Sequence, residues 1–347
     1  MNLASLISFL FISVINSFFF NLIIRYFAKK YKLLIDIPNR NRKFHIRPTP
    51  MTGGISIVIS IIFTTWLYIN LNNLNGYMPT FTLSVVSASL FLILIMIMND
   101  IKNIKPILRI LFQTLATIFV IYQSDVYLTN LGDLLGSGDI ILSDMSGKLF
   151  TVFCVVGVMN AFNMIDGING LCSGLSIIVF LMIGLFFKAF NDSLLIIVVG
   201  SVIGFMMFNL GIFGKKRYVF LGDHGSNLMG FLVAWLSIYF SQNTIFEFKP
   251  ITAVWLIFIP LVDCIKVMIN RVINRKHIYS SDTDHIHFIF SANGFSTTKT
   301  LMIIIFMGIV LSIFGILLQN SSELISMSIF ITFSIIYLGV SNKISKT

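Results

Sequence analysis

Charge is scarce in this chain. Only 11% of its 347 residues are Asp, Glu, Lys or Arg, while 56% are hydrophobic, and soluble domains carry roughly 25% charged residues. That deficit excludes a water-soluble globular fold. Acidic residues are the scarcer sign, 14 against 24 basic, for a formal net charge of +10. Cysteine is nearly absent. Cys154, Cys172 and Cys264 lie in or beside apolar runs with no disulfide or metal spacing, so a disulfide scaffold and a cysteine metal site are excluded and packing is their role.

The chain has apolar length instead. Runs of about 17 to 25 residues, enough to cross a bilayer core as helices, recur from end to end. The predicted fold is an all-α integral membrane protein, a single polytopic domain over residues 1–347 with about eleven transmembrane helices. The predicted spans cover 3–27, 53–71, 80–98, 107–123, 149–165, 171–190, 194–213, 225–242, 251–270, 299–318 and 324–341. The first run lacks a basic start and a small-residue cleavage site, so it reads as a span and not as a signal peptide. No internal repeat, no discontinuous pair of spans in matching halves and no ionisable residue near the middle of a span is visible. A secondary transporter would be expected to show such features.

Lys and Arg are retained on the cytoplasmic side of short loops. With the amino terminus periplasmic and the carboxyl terminus cytosolic, every basic residue except Lys148, Lys188 and Lys249 falls on the cytosolic side. The positive charge therefore reflects topology and an anionic leaflet or substrate, and nucleic acid is a poor fit. His45, His224, His277, His285 and His287 all lie on the same side. Carboxylates divide evenly, with Asp36, Asp100, Asp166, Asp223, Asp263, Asp282 and Asp284 inside. The outer ones lie mostly in loops rich in Asn, Ser and Gly, as solvated turns do. The polar groups in patterned contexts belong to cytosolic segments 28–52, 99–106, 163–170, 214–224 and 271–298.

In the first of these, Arg40, Arg42, Lys43, His45 and Arg47 form a dense cation cluster among Pro38, Pro48, Pro50, Gly53 and Gly54. Such a loop suits a phosphate, and an anchor on lipid headgroups explains the charge as well. Asn99 and Asp100 end the third span ahead of Lys102, Lys105 and Arg109. A carboxylate at an apolar helix end is costly unless it serves a cation or a proton, or snorkels to water. Asn160, Asn163 and Asp166 recur on one face at the end of the fifth span; that stripe fits a polar ligand, a cation or interhelical contacts.

Lys215, Lys216 and Arg217 precede Asp223, which has Gly222, His224, Gly225 and Ser226 around it. Glycines about a carboxylate at a helix start let backbone amides and a hard cation meet a diphosphate; a plain N-cap aspartate is the alternative. Further on, Asp263 and Lys266 fit a simple pair at a helix end. Asp282, Asp284, His285 and His287 put four titratable groups in six residues, without conventional zinc spacing. Cations, carboxylates and histidines interleaved on one face are what hard-cation phosphoryl transfer needs. Carboxylates hold the ion, cations stabilise the developing charge and a further group positions the nucleophile.

These motifs resemble the polyprenyl-phosphate N-acetylhexosamine-1-phosphate transferase family, glycosyltransferase family 4. The carriers are DIPN with RKFH and GG (Asp36 to Gly54), NAFNMIDG (Asn160 to Gly167), NLGIFG (Asn209 to Gly214), VFLGDHGS (Val219 to Ser226), GF (Gly230 and Phe231), ITAVW with IPLVD (Ile251 to Asp263) and HIH (His285 to His287). They cover nearly the whole chain. The resemblance implies a Mg2+- or Mn2+-dependent transfer of N-acetylglucosamine 1-phosphate from UDP-GlcNAc to undecaprenyl phosphate, with UMP released. It further implies the cytosolic face of a bacterial inner membrane and the first step of a lipid-linked glycan such as O-antigen or enterobacterial common antigen. By matching position, Asp223 is the main metal ligand, Asp100 and Asp166 assist the metal or the substrates, and His285 and His287 handle phosphates. The implied substrate-binding set is Asp36, Arg42, Lys43, His45, Asn160, Asn163, Lys215, Arg217, Asp263 and Arg271. The lipid bilayer and a homo-oligomer are the remaining implied partners.

Three positions depart from the family pattern. Asn99 stands where the family has the first of two aspartates, Asn169 where it has the second aspartate of DGxDG, and Phe288 where HIHH ends. Arg40 to Asn41 reads as a one-residue insertion. Fewer carboxylates lower the charge near the metal site, which weakens cation binding or shifts its pH dependence. An active enzyme is favoured, with another UDP-N-acetylsugar as donor or a catalytically impaired scaffold as the alternatives. The ITAVW and IPLVD stretch sets the chain apart from relatives that use the muramoyl-pentapeptide donor.

Overall fold

An apolar run in lipid has no water for its backbone, so it must close its own N–H···O=C ladder as a helix. The computed structural model is helical at every predicted span. It describes residues 3–38, 47–72, 79–102, 104–275, 277 and 284–344; Arg42, Lys43, His45 and Asp282 lie outside the described residues, as does the Lys215 side chain. The helices are α1 (Leu3–Tyr31), α2 (Gly53–Leu71), α3 (Thr80–Lys102), α4 (Pro106–Ser124), α5 (Asp144–Ile165), α6 (Leu171–Phe186), α7 (Ser193–Asn209), α8 (Asp223–Gln242), α9 (Pro250–Leu256), α10 (Phe258–Ile273), α11 (Ile286–Ala292), α12 (Thr297–Leu317) and α13 (Glu323–Ile344). Seven of them, α1 to α5 with α12 and α13, are long and apolar enough to cross a membrane. The shorter α6 and α7 are apolar, and α8 opens on the polar Asp223, His224, Ser226 and Asn227. The chain is an all-α integral membrane protein.

The stretch predicted as one span over 251–270 is broken. Helices α9 and α10 meet at 76°, and the cause is Pro260 in the first turn of α10. It has no N–H to give the Leu256 carbonyl, and its ring clashes with that oxygen, so a single helix cannot run through. Apolar content alone carries no sign of this break.

The described helices gather into two compact units, Met1–Asp125 with Lys188–Leu232 and Val126–Phe187 with Val233–Thr347. In the first, α1, α2 and α7 pack through small residues. Gly200 and Gly204 let α1 approach closely: a Cβ at Gly204 would come within 2.5 Å of the Val14 carbonyl oxygen. Ser60 Oγ lies 3.1 Å from the Ser13 carbonyl oxygen and 2.9 Å from Ser201 Oγ, and Asn16 Nδ2 donates to Thr64 Oγ1 at 2.9 Å. Small residues and interhelical hydrogen bonds replace the hydrophobic drive that lipid cannot supply.

A short ladder caps this unit. Strand β1 (Ile35–Asp36) pairs antiparallel with β2 (Thr49–Pro50), and Phe220 N donates to the Pro50 carbonyl at 2.8 Å. Gly53 N and Gly54 N, two of the orphan donors at the start of α2, bond the carbonyls of Phe220 and Leu221 at 3.0 and 3.2 Å. The start of α2 is thereby stitched to the segment that leads into Asp223.

In the second unit Trp255 stacks on Phe258 at 5.7 Å and 17°, meets Phe314 and Phe330 edge-on, and donates from Nε1 to Ser326 Oγ at 3.1 Å. An aromatic core with its one polar handle satisfied holds the broken segment in place. The 126–143 loop is more than the solvated turn predicted from its composition. Gln242 Oε1 accepts from the backbone of Thr129 and Asn130 at 2.9 and 3.1 Å, and Glu323 accepts from Asp133 N.

Candidate active site

In the first unit, the end of α3, the first half of α4 and the start of α8 bring polar side chains to one cluster, with Gly54 at the start of α2 packed against it. Helix α3 runs four residues beyond its predicted end, which places Asn99 and Asp100 in its last turns. Gly222, at φ +77°, makes the turn before α8, so Asp223 opens the helix. The Asp223 carboxylate is half exposed; Asn99 Nδ2 donates to its Oδ2 at 3.0 Å and the Arg109 guanidinium lies 3.8 Å away. Its backbone carbonyl accepts from Asn227 Nδ2 at 2.7 Å, and Asn227 Oδ1 in turn accepts from Gln113 Nε2 at 2.5 Å. Asp100 Oδ2 is hydrogen-bonded to His224 Nδ1. Both of those side chains are buried, at 3% and 0% exposure.

Two of the predicted carboxylates, Asp100 and Asp223, thus belong to one cluster, Asp100 bonded to His224 and Asp223 to Asn99, each to the other's chain neighbour. Asp36 lies in β1, paired with Thr49, and Arg217 is exposed in a 3-10 turn over Lys215–Arg217. The holders were less legible. His224 stood out only as a neighbour of Asp223, and Arg109 only as one of several cations. Gln113 and Asn227 carry a signal that can be read from sequence, a side-chain amide inside an apolar helix, which demands a partner.

The second unit holds the other cluster. The Asp263 carboxylate, 1% exposed, accepts from His285 Nδ1 at 2.8 Å, Ile286 N at 3.0 Å and Tyr337 Oη at 2.9 Å. Lys266 does not pair with Asp263 as the sequence suggested; it donates to the Asp284 carbonyl at 2.6 Å. The HIH segment is thus pinned to α10 and α13. His285 and His287 stack at 5.6 Å with rings 5° apart. His287 is buried, and neither ring nitrogen has a partner among the described residues. Its Nε2 sits where a Cβ on Gly167 would be, so Asp166, the C-cap of α5, adjoins the histidines. Burial first, then the neighbouring His285, pushes the His287 pKa down to about 4. Asn160 Nδ2 donates to the Val156 carbonyl at 2.7 Å, Asn163 is half-buried on the same helix, and Arg271 is buried on α10. Tyr337, from the last helix, was not predicted.

Among the described residues no three His, Cys, Asp or Glu side chains form a ready metal cage. What the first cluster offers instead is one accessible carboxylate, Asp223, and a second, buried one, Asp100, held by the adjacent His224. The second offers paired imidazoles on a fixed carboxylate.

A family model described as "Glycosyl transferase family 4" matches residues 82–241. The undecaprenyl-phosphate alpha-N-acetylglucosaminyl 1-phosphate transferase of Escherichia coli (strain K12) is 32% identical over 315 residues, 89% of this chain and 83% of that protein. The protein of the same name from Yersinia pestis is 31% identical over 311 residues, 88% and 83% of the two chains. That from Haemophilus influenzae is 32% identical over 294 residues, 82% and 79%. Identity above 30% over more than four fifths of the chain, together with that family match, has one reading: the chain belongs to glycosyl transferase family 4.

Proposed function

We propose that the chain transfers N-acetylglucosamine 1-phosphate from UDP-GlcNAc to undecaprenyl phosphate, giving undecaprenyl-diphospho-GlcNAc and UMP. The observation that carries the proposal is Asp223, a half-exposed carboxylate at a helix start with Asp100 in the same cluster. Mg2+ or Mn2+ fits there. A hard divalent ion of the Mg2+ type takes one or two carboxylates and completes its shell with water and substrate phosphates, with no need of a full protein cage. Asp223 is the main ligand in this scheme, with Asp100 assisting, and Asp166 contributes to nucleotide binding. When bound, the ion offsets the charge that develops on the diphosphate.

An oxygen of the lipid phosphate attacks the β-phosphorus of UDP-GlcNAc. The bond from that phosphorus to the oxygen bridging the α-phosphate breaks, its electron pair leaves with UMP, and the anomeric C–O bond of the sugar is untouched. His285, with Nδ1 committed to Asp263, and the buried, neutral His287 receive phosphate oxygens. Asp36, Arg42, Lys43, His45, Asn160, Asn163, Lys215, Arg217 and Arg271 make up the substrate-binding set. Asp263 has its carboxylate occupied by three protein donors and acts through His285. The distribution of Lys and Arg supports a bacterial inner-membrane location with the amino terminus periplasmic and the site cytosolic, where nucleotide sugars are available.

Detergent-solubilised protein given UDP-GlcNAc, undecaprenyl phosphate and Mg2+ is expected to release UMP and form a lipid-linked GlcNAc diphosphate. Asp223→Asn is expected to lower that rate by about a hundred-fold or more, the scale for losing a transition-state electrostatic contact. No UMP from the parent protein with this donor would end the proposal.

A further inference from the structure

We propose that His224 is a positioning residue that fixes the Asp100 carboxylate, so that the first turn of α8 sets the placement of both carboxylates in the first cluster. The functional consequence rests on the transferase proposal; the contact itself does not. His224 Nδ1 meets Asp100 Oδ2, both side chains are buried, and His224 Nε2 is buried with no partner among the described residues. Asp100 is therefore the polar group that the ring serves. A carboxylate only accepts, so the tautomer carrying its proton on Nδ1 donates to Asp100 and leaves just a lone pair unmatched at Nε2.

The ring is fully buried and lies close against two glycines. A Cβ at Gly54 would lie 2.6 Å from His224 Cδ2, and one at Gly222 would lie 2.6 Å from His224 Cε1 and 3.1 Å from Asp100 Oδ2. Both flanking positions are glycine, and their missing side chains make the slot that the imidazole fills. Asp223 and His224 are adjacent at the start of α8. The Asp223 carboxylate is oriented by Asn99, its backbone carbonyl is held by Asn227 and through it by Gln113, and Asp100 is oriented by His224. One helix start thus fixes two carboxylates that arrive on different helices. A catalytic group held within about half an ångström of its working geometry needs such a supporting contact.

The test uses full-length protein in detergent or nanodiscs, with UMP release from UDP-GlcNAc as one readout and 15N-histidine NMR as the other. His224→Val is expected to lower kcat about ten-fold or more while KM for UDP-GlcNAc stays within about three-fold. His224→Asn, whose amide nitrogen takes the place of Nδ1, is expected to restore kcat to within about three-fold of the parent. His224→Gln, whose amide reaches the Nε2 position instead, is expected to remain impaired, and it replaces His224→Val if that variant does not fold. The double variant His224→Val with Asp100→Asn is expected to be no worse than Asp100→Asn alone, as for residues that act as a unit. In the NMR arm, a histidine signal protonated at Nδ1 is expected in the parent, absent from His224→Asn, and displaced in Asp100→Ala. A folded His224→Val with parental kcat, additive effects in the double variant, or a His224 ring protonated at Nε2 alone would each overturn the proposal. Parent protein that releases no UMP would overturn the transferase proposal instead, and the NMR arm would still decide the contact.

Discussion

Asn99→Asp restores a carboxylate where the family has one, and its effect is expected to change sign with the metal. The Asn99 amide donates to Asp223 Oδ2 at 3.0 Å. Hydrogen bonds to charged groups contribute about 1.5 to 3 kcal/mol, and the substitution removes this one. It also places two anionic oxygens at roughly that separation, a repulsion of about 5 kcal/mol at an effective dielectric constant of ~20. Half exposure of the Asp223 side chain lets water and salt screen the pair, which brings the repulsion to about 2 kcal/mol. Without a divalent ion the variant is therefore expected to melt at lower temperature than the parent in EDTA. A bound divalent ion relieves the same repulsion, and about 2 kcal/mol corresponds to a roughly thirty-fold lower half-saturating Mg2+ concentration. UMP release and melting temperature, each titrated against Mg2+, measure both halves. A variant that needs as much Mg2+ as the parent, and melts no lower in EDTA, refutes the placement of the ion at Asp223.

Other outcomes follow from the same contacts. Gly54→Ala directs a Cβ to 2.5 Å from the Gly225 backbone and 2.6 Å from the His224 ring; since backbone cannot yield cheaply, a loss of about 1 to 3 kcal/mol in thermal stability is expected, with UMP release falling alongside. Asp263→Ala leaves three donors without their acceptor in a buried site, so a loss of about 3 kcal/mol or more is expected, against about 1 kcal/mol for Tyr337→Phe, as read by thermal melting. His287 has its folded pKa lowered to about 4, below the value of about 6.5 in an unfolded chain. The neutral ring thus favours the folded state fully above pH ~6.5, and that contribution, about 3 kcal/mol, is lost as pH falls toward 4. Melting curves of parent and His287→Phe over that range check it, the variant being expected to lose less stability in acid. Gly204→Leu is expected to separate α1 from α7, with lower expression and melting temperature, because Val14 and Ser17 leave no room for a side chain.

Helix lies under every apolar run that hydropathy picked out, and the start and end of α2 fall where the run predicts. The break between α9 and α10 was illegible because it depends on where Pro260 falls within a turn, while the sum of apolar residues is unchanged by it. Asp100 and Asp223 were readable as carboxylates at span ends, since each is expensive there without a role. Their holders were not. His224 and Asp100 are 124 residues apart, and Tyr337 and Asp263 are 74 apart; contacts of that kind leave no periodicity in a single chain. Asn99 illustrates the limit best: the sequence marks it as a missing carboxylate, and only its position over Asp223 shows that it is a donor.

The saturation of Asp263 divides the chemistry in a way that bears on assembly. An anion already matched by an imidazole, a backbone amide and a phenol needs no ion from solution, so the histidine platform it supports is complete as soon as the chain is folded. The carboxylate at the head of α8 is instead half exposed and open to an ion from solution. Stripping divalent ions should therefore loosen that helix start selectively, and hydrogen exchange there should slow on adding Mg2+ while the amides around Ile286 keep their protection throughout.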